Sequence, residues 1–158
     1  MESNRLLIEN FYKAFQRLDA DTMTDCYHEH IQFHDPVFKT LQGKDARDMW
    51  RMLVARGGAS LKITFSDIEA DATTGSASWQ AEYTFSKTNR EVHNHIKATF
   101  EFKDNKIIHH VDHFNFWKWS SMALGLPGYL LGWSPALNKK VSTESLKALK
   151  KFQEKKVD

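Results

Sequence analysis

Apolar residues recur at Leu7, Phe11, Ala14, Phe15 and Leu18, the three-to-four spacing of an amphipathic helix, and Asn4 supplies a polar cap for its start. Residues 19–28 predict a short second helix. Residues 31–34 alternate briefly before Asp35-Pro36, where the proline ring disfavours helical geometry at Asp35 and ends a short strand. Residues 43–56 place Met49, Trp50, Leu53 and Val54 on adjoining helical positions, and Gly57-Gly58 stops the pattern.

From there the period falls to two. Residues 61–70, 77–87, 91–103 and 106–117 each alternate, and short polar turns at Thr73-Thr74-Gly75, Thr88-Asn89 and Asp104-Asn105 separate them. Four such strands make an antiparallel meander. Helices first and a meander afterwards predict an α+β fold in which three N-terminal helices cover the concave face of a curved antiparallel sheet.

Strand parity selects the residues that face the helices. The second meander strand offers Ala77, Trp79, Ala81, Tyr83 and Phe85, with Gln80 and Glu82 as the set one register step away. The third offers Asn94, Ile96, Ala98, Phe100 and Phe102, and the fourth Ile108, His110, Asp112, Phe114 and Phe116. His110 and Asp112 are polar groups on an apolar face, so they need a buried partner or a ligand.

Composition then narrows the class. The 158 residues are 41% hydrophobic and 27% charged, enough for one well-cored domain, and 22 Lys plus Arg against 20 Asp plus Glu leave +2, too weak a field to make nucleic acid the default partner. The single cysteine, Cys26, has no internal disulfide partner, and no secretory leader is visible, which predicts a cytoplasmic protein. The longest apolar stretch, 123–133, is broken by Gly125, Pro127, Gly128 and Gly132, far short of the ~20 residues of a membrane span. Residues 139–158 are the basic part of the chain, with seven lysines against three acidic residues. Eight histidines are present, but His93, His95, His109 and His113 fall on the face opposite the apolar sets, so neither a metal nor an organic cofactor is expected.

The order of elements and two local strings resemble the nuclear transport factor 2-like superfamily, the cone-shaped α+β fold that includes ketosteroid isomerase, limonene epoxide hydrolase and the SnoaL polyketide cyclases. The resemblance covers residues 4–117. His34-Asp35-Pro36-Val37 resembles the segment carrying the general-base aspartate of ketosteroid isomerase, which implies a base at Asp35. The string from Lys106 to Asn115 resembles the last-strand motif of the epoxide hydrolases and cyclases, which implies a catalytic acid or base at Asp112. The oxyanion donors of the isomerase are not matched: Phe11 and Ala98 fall there, and Tyr12 lies one helical step away. Epoxide hydrolase's paired Arg and Asp are not matched either, at Trp79 and Ala81 or at Gln80 and Glu82.

The combined expectation is a SnoaL-like cone over 1–117 with a helical extension over 118–158, the extension holding an apolar loop (126–133) as a lid and a helix capped by Ser142 or Thr143. The predicted function is cofactor-independent isomerase, hydrolase or cyclase chemistry on a small apolar molecule. Asp35 acts as base and Asp112, with His110, as proton donor or water-orienting group; Tyr12, Trp50, Trp79, Asn94 and Phe114 hold the substrate. The rival reading is a non-catalytic ligand-binding or dimerisation domain. A homodimer through the outer sheet face at His93, His95, Lys97, Thr99 and Glu101 is expected by analogy, and peripheral membrane contact by the basic C-terminal helix is the lesser alternative to its docking on the cone.

Overall fold

The computed structural model describes residues 2–157. Helices α1 (Glu2–Gln16) and α2 (Ala20–Asp25) lead into β1 (Tyr27–Asp35), β2 (Lys39–Gln42) and α3 (Lys44–Gly57). A 3-10 turn (Gly58–Ser60) opens the meander of β3 (Lys62–Ala70), β4 (Thr74–Phe85), β5 (Arg90–Lys103) and β6 (Lys106–His113). Three further helices complete the chain, α4 (Phe116–Leu124), α5 (Leu126–Leu131) and α6 (Pro135–Val157). The strands form one curved, unclosed sheet in the order β2-β1-β6-β5-β4-β3. This is the expected α+β cone.

One pairing departs from the antiparallel expectation. β1 and β6 run parallel, with Phe33 opposite His110 and His34 opposite Val111. Parallel neighbours need a long crossover, and here α3 and the rest of the meander supply it. A register shift between Glu101 and Phe102 also turns Ile107, rather than Ile108, into the core.

Helix ends differ where side chains compete with periodicity. Asn4 lies inside α1 and donates its amide to the carbonyls of Asp71 and Ala72 (3.0 and 3.2 Å) instead of capping the helix. Residues 114–117 alternate like a strand, but Asn115 accepts the Lys118 N–H at 3.0 Å and caps α4, ending β6 at His113. α6 begins at Pro135, a favoured first helical residue, so Ser142 and Thr143 fall within it.

The main core packs Ile8, Phe11 and Phe15 of α1 and Met49 and Trp50 of α3 onto Ile31 and Phe33 of β1. Residues 118–158 join the same body. Leu149 of α6 enters that core, Gln153 donates to Asp45 and Asp48 of α3 (2.8 and 3.1 Å), and Asn138 donates to the Pro36 carbonyl at 2.9 Å. No helix is long and apolar enough to cross a membrane among the described residues.

Candidate active site

A cavity of about 270 Å³ opens between the concave sheet face, α3, α4 and α6. That is slightly under the ~300–1,000 Å³ of drug-sized sites, so it suits a small ligand. Its walls are mainly apolar, from Phe33, Met49, Trp50, Trp79 and Phe114, and three carboxylate residues line it, Asp35 and Asp112 on the sheet and Glu144 on α6. A more open hollow of about 600 Å³ elsewhere is lined by Glu69, Asp71, Thr74, Glu101 and His109. Its polar groups are spent on each other, Asp71 on Thr73 and Thr74 and His109 on Glu101, so the enclosed cavity is the candidate site.

Asp35 is the last residue of β1, and Pro36 turns the chain away. Its Oδ1 accepts the backbone N–H groups of Val37 (2.9 Å) and Phe38 (2.6 Å), an aspartate turn that fixes the rotamer. Among the described residues Oδ2 receives no hydrogen bond, and Asp35 as a whole is only 9% exposed. Burial pushes its pKa up to about 7; the two N–H groups and Lys39 pull it down, while the charge of Asp112 adds to the rise.

Asp112 sits one strand away. The parallel register, continued by one residue, sets Asp35 beside Asp112 on the same face. Its Oδ1 accepts both the Trp79 indole N–H at 3.2 Å and His110 Nε2–H at 2.9 Å, leaving Oδ2 without a protein donor among the described residues. Behind it runs a buried chain: His110 Nδ1 meets the Tyr27 hydroxyl at 2.7 Å, and that oxygen accepts the Trp50 indole N–H at 2.8 Å. Because the Asp112 carboxylate can only accept, a neutral His110 ring carries its proton on Nε2 and accepts the Tyr27 hydroxyl proton at Nδ1.

The two anchored carboxylates thus share one design, with one oxygen held by protein donors and the other open to a ligand. His110 is fully buried, stacks on Trp50 with centroids 5.9 Å apart, and does not line the cavity. It lies behind Asp112 rather than in the cavity wall, the place of a positioning residue that supports the carboxylate. Trp50, Trp79, Asn94 and Phe114 line the cavity as expected, and Trp79 with Ala81, not Gln80 with Glu82, faces inward. Tyr12 does not line it. Its ring packs on Phe65 and Trp79 in the core, and its hydroxyl has no partner among the described residues.

Sequence reading missed Tyr27 and, although it put Tyr83 on the inward face, gave Tyr83 no place in the site. Tyr27 shares strand parity with Phe33 and Asp35, a usable signal had the strand been begun four residues earlier. Tyr83 lines the cavity, and its hydroxyl accepts the Trp119 indole N–H at 2.8 Å. That leaves its own proton for a ligand; burial and the nearby Asp35 charge raise its pKa. Trp119 is on α4, whose contribution no strand-based reading could supply.

The expected lid also changes hands. Trp119 and Leu124 of α4 with Val141, Ser145 and Ala148 of α6 close the cavity, and Lys87 pairs with Glu144 at 2.9 Å across its rim. Residues 126–133 turn outward instead, with Leu126 67% exposed. Cys26 is buried, and burial pushes its thiol up to about 11, unsuited to a nucleophile. Among the described residues no three His, Cys, Asp or Glu side chains converge on a point that could hold a metal ion.

Known proteins place this architecture. The structure resembles an epoxide hydrolase of the limonene-epoxide-hydrolase-like type from Mycobacterium tuberculosis, with a TM-score of 0.63, 17% identity, and coverage of 82% of this chain and 96% of that one. It also resembles an epoxide hydrolase/cyclase-like enzyme of pyran ring formation in the polyether salinomycin, with a TM-score of 0.62, 18% identity and coverage of 72% and 91%. A protein from a soil-derived mobile gene cassette superposes with a TM-score of 0.67, 18% identity and coverage of 77% and 96%. At these identities the likeness is one of fold. No match was found among curated protein sequences. The SnoaL-like domain profile matches residues 8–110, more than half of the chain and all of the strands up to His110, and the chain therefore belongs to the SnoaL-like domain family.

Proposed function

We propose that the protein is a cofactor-independent acid–base enzyme, an isomerase, hydrolase or cyclase, acting on a small apolar molecule. One observation carries the reading: Asp35, in an apolar cavity, has its pKa pushed to about 7 beside a second carboxylate held by a fixed donor relay. A carboxyl near neutrality can both take and return a proton at working pH, the condition for efficient general acid–base catalysis.

Asp35 moves the proton through Oδ2. Asp112 orients a water or substrate hydroxyl through its own Oδ2, while His110 and Trp79 keep the carboxylate from rotating. Tyr83 donates its hydroxyl proton, and the Asn94 amide offers a donor and an acceptor at the cavity wall. Trp50, Trp79 and Phe114 enclose the apolar body and exclude water, which strengthens each of these interactions.

The test is a panel of apolar epoxides and enones, with product formation and deuterium uptake from D2O followed by mass spectrometry. Asp35→Asn and Asp112→Asn should each lower kcat/KM by about 10²–10⁴-fold while the variants stay folded. Turnover that the double variant keeps in full would show that the carboxylates are structural, and no turnover of any substrate by the wild type would leave a ligand-binding domain.

A further inference from the structure

α5 presents its side chains the reverse of a helix packed on a globular body. Only Gly128 is buried, whereas Leu126, Tyr129, Leu130 and Leu131 are 52–67% exposed. Of the eight exposed large hydrophobics among the described residues, six lie between Trp117 and Trp133. Scattered exposed leucines need no explanation, but a cluster of this kind marks an interaction face.

The backbone enforces this orientation. Gly125, with φ +71, turns the chain from α4 into α5. A Cβ on Gly128 would lie 1.9 Å from the Ser120 carbonyl oxygen, and one on Gly132 would lie 2.2 Å from Ser120 Oγ. Glycine alone lets α5 lie flat on α4, and with glycines inward the leucines must face out. The two indole N–H groups are already satisfied: Trp117 N–H donates to the Tyr129 carbonyl at 2.8 Å and Trp133 N–H to the Leu130 carbonyl at 2.9 Å. Both rings can therefore enter an apolar phase without an unpaired donor.

Along the segment that carries the patch the charge has one sign. No Asp or Glu occurs from 113 to 143, while Lys118, Lys139 and Lys140 are exposed. A symmetric contact between two copies would bring these lysines together with no acidic group in the segment to answer them. An anionic lipid surface answers them directly. We propose that the α4–α5 face is a peripheral membrane anchor, with Leu126, Tyr129, Leu130, Leu131 and Trp133 entering the interfacial layer of an anionic bilayer and Lys118, Lys139 and Lys140 meeting its headgroups. The anchor stands independently of the acid–base reading, since it uses none of the cavity carboxylates.

The test uses the full chain with vesicles of phosphatidylcholine, alone or containing phosphatidylserine, read by co-sedimentation and by tryptophan quenching with brominated lipid. Binding and quenching are expected on the phosphatidylserine vesicles and should weaken with salt. Leu130→Ser/Leu131→Ser should lower partitioning by about tenfold or more, and Gln at Lys118, Lys139 or Lys140 by about fivefold each. Leu6→Ser, at an exposed leucine of α1, should change nothing. Absence of binding to both vesicle types overturns the proposal. So does binding that the double serine variant leaves intact, which would move the contact elsewhere, or self-association in sedimentation that this variant abolishes, which would make the face a contact between copies. Brominated-lipid quenching of the unaltered chain decides the matter without any variant: bound protein whose tryptophans are not quenched has no inserted Trp133.

Discussion

Replacing Asp35 by asparagine should stabilise the protein while removing its proposed activity, and the gain should depend on pH in a defined way. In the folded state the Asp35 pKa rises from 3.8 to about 7 because burial penalises the charge. The native chain therefore holds a proton that the unfolded chain releases between these values. Whatever stability this group contributes is complete below about pH 4 and is lost as pH rises to about 7. About three pH units at about 1.4 kcal/mol each give a cost of about 4 kcal/mol above pH 7. Asparagine keeps an Oδ1 that accepts from Val37 and Phe38 much as the neutral carboxyl does, so the gain above pH 7 is about 4 kcal/mol. Urea unfolding of both proteins from pH 4 to pH 9 measures the difference directly. The two stability curves should meet near pH 4, separate through pH 7 and run parallel above it. Parallel curves over the whole range would refute the argument, because they would mean that Asp35 titrates alike in the folded and unfolded chains.

Two further substitutions probe the groups behind the site. Tyr27→Phe leaves the Trp50 N–H and His110 Nδ1 without a partner, so unfolding free energy should fall by about 2–4 kcal/mol, with an accompanying loss of turnover if the relay fixes Asp112; calorimetry and the kcat/KM profile against pH report the two effects. Tyr12→Phe removes a hydroxyl that has no partner among the described residues, and the melting temperature should stay level or rise, whereas a drop would place an ordered water on that oxygen.

Most of the cone was legible because period-two alternation and glycine or asparagine turns are local signals. α1, α3 and the four meander strands follow from them, and the odd polar pair on an apolar face pointed to His110 and Asp112. What escaped was set by contacts between distant segments. The four-residue β2 has too little pattern to register, and the aromatic run from Phe114 to Trp117 alternates like a strand until Asn115 caps a helix. The partners of the relay, Tyr27 and Trp50, are settled only when β1 lies against β6 and α3 closes over them. Asp35 was readable as the end of a strand before Pro36 and, through the family resemblance, as a base, and in the structure its two oxygens divide the structural and the chemical role.

The parallel contact of β1 with β6 ties chemical competence to the order in which the chain folds. The meander strands β3 to β6 join through tight turns and can zip up locally, but Tyr27 and His110 are 83 residues apart. Closing that loop costs about 4 kcal/mol of chain entropy, beyond a fixed term. Contacts of such separation form late. Until the first strand docks beside the last, Asp35 stays in water as an ordinary acid and His110 lacks its tyrosine. A nascent or partly unfolded chain would thus carry every site residue and none of the reactivity, arming its acid only once the sheet is complete.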